Sequence, residues 1–250
     1  RRFSTNVAQA SDSSNEDNDA ARIFDWNMYA EDYPLFFKIE SMAEDRSVIL
    51  NANTNSKVNE FDGVFGMPNL DKLALHLKCP EYQKDAKLNV VTAERNGKTV
   101  PTHIHFENAG GDFKNDYRFM STEIINEKLK SVKFKGTAWE VEFEPSVASI
   151  QRFKLQAAAH TEETVFTVKT ENGNLVFYYG DANSHAGSFI FQGSVSKELQ
   201  NAWSWPIQQV MSILNLDGKI TMAISDAGAM QITVDSGIAQ YNYILPAQTK

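Results

Sequence analysis

The sequence predicts an α+β fold made of two tandem domains, each built from a helix laid on an antiparallel β-meander. Three observations predict it. Within residues 203–247, Ile207, Val210, Met211 and Leu214 fall at i, i+3, i+4 and i+7, which gives a short helix one apolar face. Three runs of period-2 alternation follow it: Ile220, Met222 and Ile224; Met230, Ile232 and Val234; Tyr241, Tyr243 and Leu245. The same order occurs earlier, where Leu70, Leu73, Ala74 and Leu77 form the helical stripe and residues 87–107 form a hairpin around Asn96-Gly97. Leu77 and Leu214 lie 137 residues apart, and Val90 and Ile220 lie 130 apart, so one repeat is about half of a 250-residue chain.

Taken in order, residues 1–22 form an acidic polar arm with serines, asparagines and few large apolar groups. The first domain is expected over 23–123. Its strands are placed at 35–39, 47–52 and 58–65, its helix at 69–78, its hairpin at 87–107, a glycine loop at 108–116 and a closing strand at 117–121. Residues 124–137 read as an extended connector, because Lys128, Lys130, Lys133 and Lys135 alternate with Leu129, Val132 and Phe134.

The second domain is expected over 138–250. A strand at 139–144 precedes a helix that starts at Pro145-Ser146 and runs to Ala159, with Val147, Ile150, Phe153 and Ala157 on one side. Strands at 164–170, 175–179 and 188–192 follow, the first two joined at Glu171-Asn172-Gly173-Asn174. The last module opens with Ser204 as helix cap and Pro206 in the first turn, and its strands turn at Asp217-Gly218, Asp226-Ala227-Gly228 and Ser236-Gly237.

Composition narrows the function. With 24 basic and 32 acidic residues the net charge is −8, which argues against attachment to nucleic acid by bulk electrostatics but leaves room for a local basic face. One cysteine, Cys79, excludes an internal disulfide framework and suits a reducing cytoplasm. No run of 18 apolar residues offers a membrane span. The start at Arg1-Arg2-Phe3, without methionine, points to numbering that begins inside a longer chain, and no signal-peptide pattern is visible.

Catalytic chemistry finds little support. His103-Ile104-His105 puts two imidazoles on one side of a strand, but only Glu107 is in register nearby, so an exposed strand face is the better reading than zinc. Asp181, Ser184 and His185 share one loop without a nucleophile elbow or oxyanion glycines. Gly110-Gly111-Asp112 lacks the lysine and following helix of a phosphate loop. No catalytic residue, metal site or cofactor is expected.

Several segments together resemble a DNA polymerase sliding clamp of the kind shared by T-even-like phages and the proliferating cell nuclear antigen family. They are residues 147–159 with the 171–174 hairpin, residues 203–214, and the run from Gly218-Lys-Ile-Thr-Met-Ala-Ile-Ser-Asp to Tyr241-Asn-Tyr-Ile-Leu-Pro-Ala. In the first domain, Val58-Asn-Glu-Phe-Asp-Gly-Val-Phe and the helix from Leu70 to Leu77 are similar to the equivalent strand and helix of phage clamps. The likeness covers residues 46–247 and lies in order and pattern. Residues 1–45 depart from it, with an acidic arm and a Tyr/Phe-rich strand where a clamp's first helix stands.

The resemblance implies two clamp-type domains per chain and a closed homotrimeric ring of a virus or phage, lined by helices and walled by sheets. It also implies three partners: double-stranded DNA bound without regard to sequence, a replicative DNA polymerase and an ATP-dependent clamp loader. Sequence-blind phosphate contacts would then fall to the solvent faces of the helices, where helical geometry places Lys72 opposite Leu70, Leu73 and Leu77, and Arg152 and Gln156 opposite Ile150, Phe153 and Ala157. Gln208, Gln209 and Ser212 occupy the same face of the last helix. The plainer reading of these residues is the wet side of amphipathic helices. A partner peptide would dock at Val132, Phe134, Ile244, Leu245 and Pro246, where the plainer reading is a connector packed on its own domain. A non-enzymatic β-rich viral assembly or scaffold protein is the alternative from a different class.

Overall fold

The computed structural model describes residues 25–29, 38–43, 45–56, 61, 64–95, 97–129, 134–181, 183 and 185–248, with no side-chain description for 25–29 and 126–129. The arm over 1–22, Val132, Asn96, Ser184 and much of the expected strands at 35–39 and 58–65 lie outside the described residues. The chain forms two compact units. Arg1–Arg46, Leu50–Lys133 and Gly237–Gln240 make the first; Ser47–Ile49, Phe134–Ser236 and Tyr241–Lys250 make the second.

In the first unit, β1 (Asp25–Tyr29), β2 (Lys38–Met42), β3 (Ile49–Thr54) and β4 (Phe65–Met67) are hydrogen-bonded in the order β4-β1-β2-β3. Helix α1 (Leu70–Lys78) follows, then a 3-10 turn at Pro80–Tyr82 and an antiparallel sheet of β5 (Lys87–Arg95), β6 (Lys98–Glu107) and β7 (Lys114–Arg118). The apolar stripe of α1 faces inward as its spacing predicts: Leu73 is buried, and the His76 ring lies 5.2 Å from that of fully buried Phe106. Glycine-loop residue Asn108 closes the β6–β7 connection, its side-chain oxygen accepting from the amides of Asp112 and Phe113, each at 3.2 Å. Strand β7 starts at Lys114, inside the segment expected to be loop, and ends at Arg118, so it includes only the first two residues of the closing strand expected at 117–121.

Residues Thr122–Leu129 form helix α2, which corrects the extended connector expected to begin at 124. Thr122 Oγ1 donates to Val64 O at 2.7 Å and Ile125 is fully buried, so a tertiary hydrogen bond and one deep apolar anchor hold this segment as a helix.

The second unit holds β8 (Val141–Phe143), α3 (Val147–Ala159), β9 (Val165–Glu171), β10 (Asn174–Tyr179), β11 (Gly187–Gln192), β12 (Trp203–Pro206), α4 (Ile207–Leu214), β13 (Lys219–Ser225), β14 (Ala229–Asp235) and most of β15 (Ala239–Pro246). One antiparallel sheet runs β11-β10-β9-β12; in the other, β14 lies between β15 and β13, and β13 pairs with β8. Asn172 (φ 52°) and Gly173 (φ 72°) make the two-residue β9–β10 turn that left-handed backbone requires, as the Asn-Gly pair signals. Helix α3 is capped by Ser146, whose side chain accepts from Ser149 N at 3.0 Å. Its Phe153 sits in an aromatic core, 5.0 Å from Phe166, while Phe177 and Phe191 stack at 4.2 Å.

Two local expectations fail here. Ser204 is no helix cap: it is buried in β12, opposite Thr167 of β9, and shares a 2.8 Å hydroxyl hydrogen bond with it. Trp205, fully buried, pulls this stretch into the sheet, and α4 starts after Pro206 without a side-chain cap. Val147 is also exposed rather than inward, because the buried positions of α3 are Ser149, Phe153 and Ala157.

Candidate nucleic-acid interface

The solvent sides of α1, α3 and α4 were the expected contact faces, and each is positioned by the stripe it buries. On α1, burial of Leu73 turns Lys72 and Leu75 outward, and both are exposed. On α3, burial of Phe153 leaves Arg152 exposed, with Gln151 and Leu155 beside it. Gln156 departs from the expected face: it is half-buried, and its amide oxygen lies over Gly187 of β11, where an added Cβ would come within 2.7 Å. On α4, Ile207, Val210, Ile213 and Leu214 are buried, Gln208 is exposed and Gln209 half-buried. Ser212 already donates its hydroxyl to Gln208 O at 2.8 Å.

Two of these three helices carry no acidic residue. The 13 residues of α3 and the 8 of α4 include no aspartate or glutamate, in a chain that has 32 acids. Arg152 and Lys154 are the cations of α3, while α1 carries Lys72 and Lys78 against Asp71.

The expected peptide dock is only partly at the surface. Phe134 is half-buried and stacks on Trp139 at 6.1 Å, and Pro246 is exposed. Ile244 and Leu245 are buried, which corrects their reading as exposed apolar groups: Tyr243, Ile244 and Leu245 are consecutive buried residues, so β15 is covered on both faces at that point. Sequence alternation alone could not distinguish a strand covered once from one covered twice.

The imidazole pair gains a neighbour that the sequence did not reveal. His105 Nδ1 lies 2.7 Å from Asp116 Oδ1 on β7, and His103 Nε2 lies 3.7 Å from the same oxygen. Glu107 in turn is held by Lys87 at 3.1 Å and Lys114 at 2.9 Å. Those two lysines hold its carboxyl down at about 2, and the His105 hydrogen bond lowers that of Asp116. Among the described residues no group of three or more His, Cys, Asp or Glu side chains is placed to hold a metal ion. No described helix is long and apolar enough to cross a membrane.

No protein-family model matches the chain, and no curated protein sequence does. Solved structures do match it. One, described as the C-terminal region of FEN-1 bound to A. fulgidus PCNA, aligns with a TM-score of 0.66 over 98% of this chain and 95% of that one, at 9% identity. Another, the proliferating cellular nuclear antigen of Entamoeba histolytica, aligns with a TM-score of 0.64 over 98% and 94% of the two chains, at 12% identity. At these identities the shared property is the architecture, and the chain has the α+β fold of the sliding clamps that its sequence resembles.

Proposed function

We propose that this protein is a DNA sliding clamp: a non-enzymatic, ring-shaped processivity factor that encircles duplex DNA and tethers a replicative polymerase. The observation that carries the proposal is the near full-length match to clamp structures at TM-scores of 0.66 and 0.64. The acid-free helices α3 and α4 support it, because a ring that slides needs weak, sequence-blind contacts on its inner face and no attraction elsewhere.

In this reading three copies close head to tail into a homotrimer through their edge strands, β11 with its half-exposed Ile190 (49%) among them. Retention on DNA is then topological, and Lys72, Arg152 and Gln208 make passing contacts with phosphates while Gln156 and Gln209, half-buried, contribute less. Partner peptides, of the kind named for the A. fulgidus structure, dock beside Phe134 and Pro246. With no phosphate-binding loop in the sequence, ring opening falls to a separate ATP-dependent loader. The setting is viral replication in a host cytoplasm.

The experiment is gel filtration of the protein with primed circular DNA, a loader and ATP. A clamp stays with the closed circle through dilution and leaves when the circle is linearised. Retention that ignores linearisation, or no retention under any loading condition, overturns the proposal and favours the assembly-protein alternative.

A further inference from the structure

The three most exposed large apolar side chains described are Val147 (76%), Leu155 (70%) and Leu75 (69%), and all three lie on the solvent sides of α1 and α3. Each leucine sits three residues beyond a cation, Leu75 after Lys72 and Leu155 after Arg152, so the two side chains of each pair are neighbours on one helix face. Val147, Gln151 and Leu155 add a continuous uncharged stripe at i, i+4 and i+8. Leaving such groups in water is unfavourable, and Val147 and Leu155, which share one exposed face of α3, mark that face as a contact surface.

We infer, building on the clamp reading, that Leu75 and Leu155 are duplex-facing residues that touch the apolar edges of deoxyribose, while the cation one turn before each takes a phosphate. The occupant is duplex DNA rather than another protein because the faces join apolar groups to cations, and α3 carries no acid at all. Each helix thereby offers few charges. A leucine where a lysine would fit removes one released counterion, and with it part of the salt-dependent grip that resists sliding.

The test measures anisotropy of a short fluorescent duplex with the full chain over a series of salt concentrations, for wild type, Leu75→Lys, Leu155→Lys and Leu155→Gln. Each added lysine is expected to steepen the slope of log affinity against log salt by about 0.9 per phosphate gained. Leu155→Gln is expected to weaken binding with no change in slope. Both leucines are exposed, so urea midpoints should stay within the spread of surface substitutions and loss of fold would not imitate the result. Slopes that stay at the wild-type value in both lysine variants overturn the inference. If wild type is meanwhile retained on closed circles, the clamp reading stands and only the apolar contact falls; if wild type is not retained, the clamp reading itself has failed.

Discussion

The indole Nε1 of Trp205 donates to the carbonyl oxygen of Leu245 at 3.0 Å, and both side chains are fully buried. The bond ties the strand that precedes α4 to the last strand of the chain. Truncation at either end leaves a cavity, and loss of the indole also leaves a buried carbonyl without its donor. Trp205→Ala is expected to destabilise the second unit by about 3–5 kcal/mol, and Leu245→Ser by about 3 kcal/mol, read as a lower urea midpoint. A midpoint shift below about 1 kcal/mol in both would contradict this packing.

A peptide-binding role at the surface is separated from that core by Phe134. Phe134→Ser removes a half-buried ring stacked on Trp139 and should weaken binding of the cognate polymerase's C-terminal peptide by roughly 1–2 kcal/mol in calorimetry. Binding unaffected by the change would place the dock elsewhere.

Gly218 has φ +148°, and a Cβ there would lie 2.5 Å from the carbonyl oxygen of Asp235, a backbone atom that cannot swing away. Gly218→Ala should therefore lower stability by more than about 1 kcal/mol, opposite in sign to the usual benefit of alanine over glycine. Chemical denaturation of the variant checks it.

Acid should loosen the β5-β6-β7 sheet. Glu107 is lowered from 4.5 to about 2 by hydrogen bonds from Lys114 and then Lys87, so its contribution is present above about 4.5 and is lost as pH falls toward about 2. Glu107 is half-buried but both of its lysine partners are exposed, which keeps the effect small and salt-sensitive. Wild type should lose more stability than Glu107→Gln between those pH values, and parallel pH profiles would remove the ion pairs from the account.

Arg152→Glu and Lys72→Glu should each shorten the DNA tracts made per binding event in a clamp-dependent primer-extension assay, with elution volume unchanged. Both side chains are exposed and neither is needed to bury the helix beneath it. Normal tract lengths in both variants would remove these residues from the DNA contact.

How legible all this was depended on whether local pattern and burial agree. The stripes of α1 and α4 and the Asn172-Gly173 hairpin were readable because one face is buried and the turn demands positive φ. Ser204 was misread because Ser-Trp-Pro carries the chemistry of a cap, while Trp205 needed a core site that only the sheet supplied. Helix α2 hid behind a lysine alternation that begins at its last turn, with Lys128 and Leu129. The exposure of Lys72 and Arg152 followed from helical geometry alone, whereas Gln156 over Gly187 and Asp116 beside His105 depend on strands distant in sequence.

The most direct measurement of the central claim is negative-stain imaging of the assembled protein. A closed ring with six domain-sized lobes around a hole wide enough for duplex DNA is the predicted result. Particles without a central opening, or open chains of lobes that never close, would contradict the sliding-clamp account.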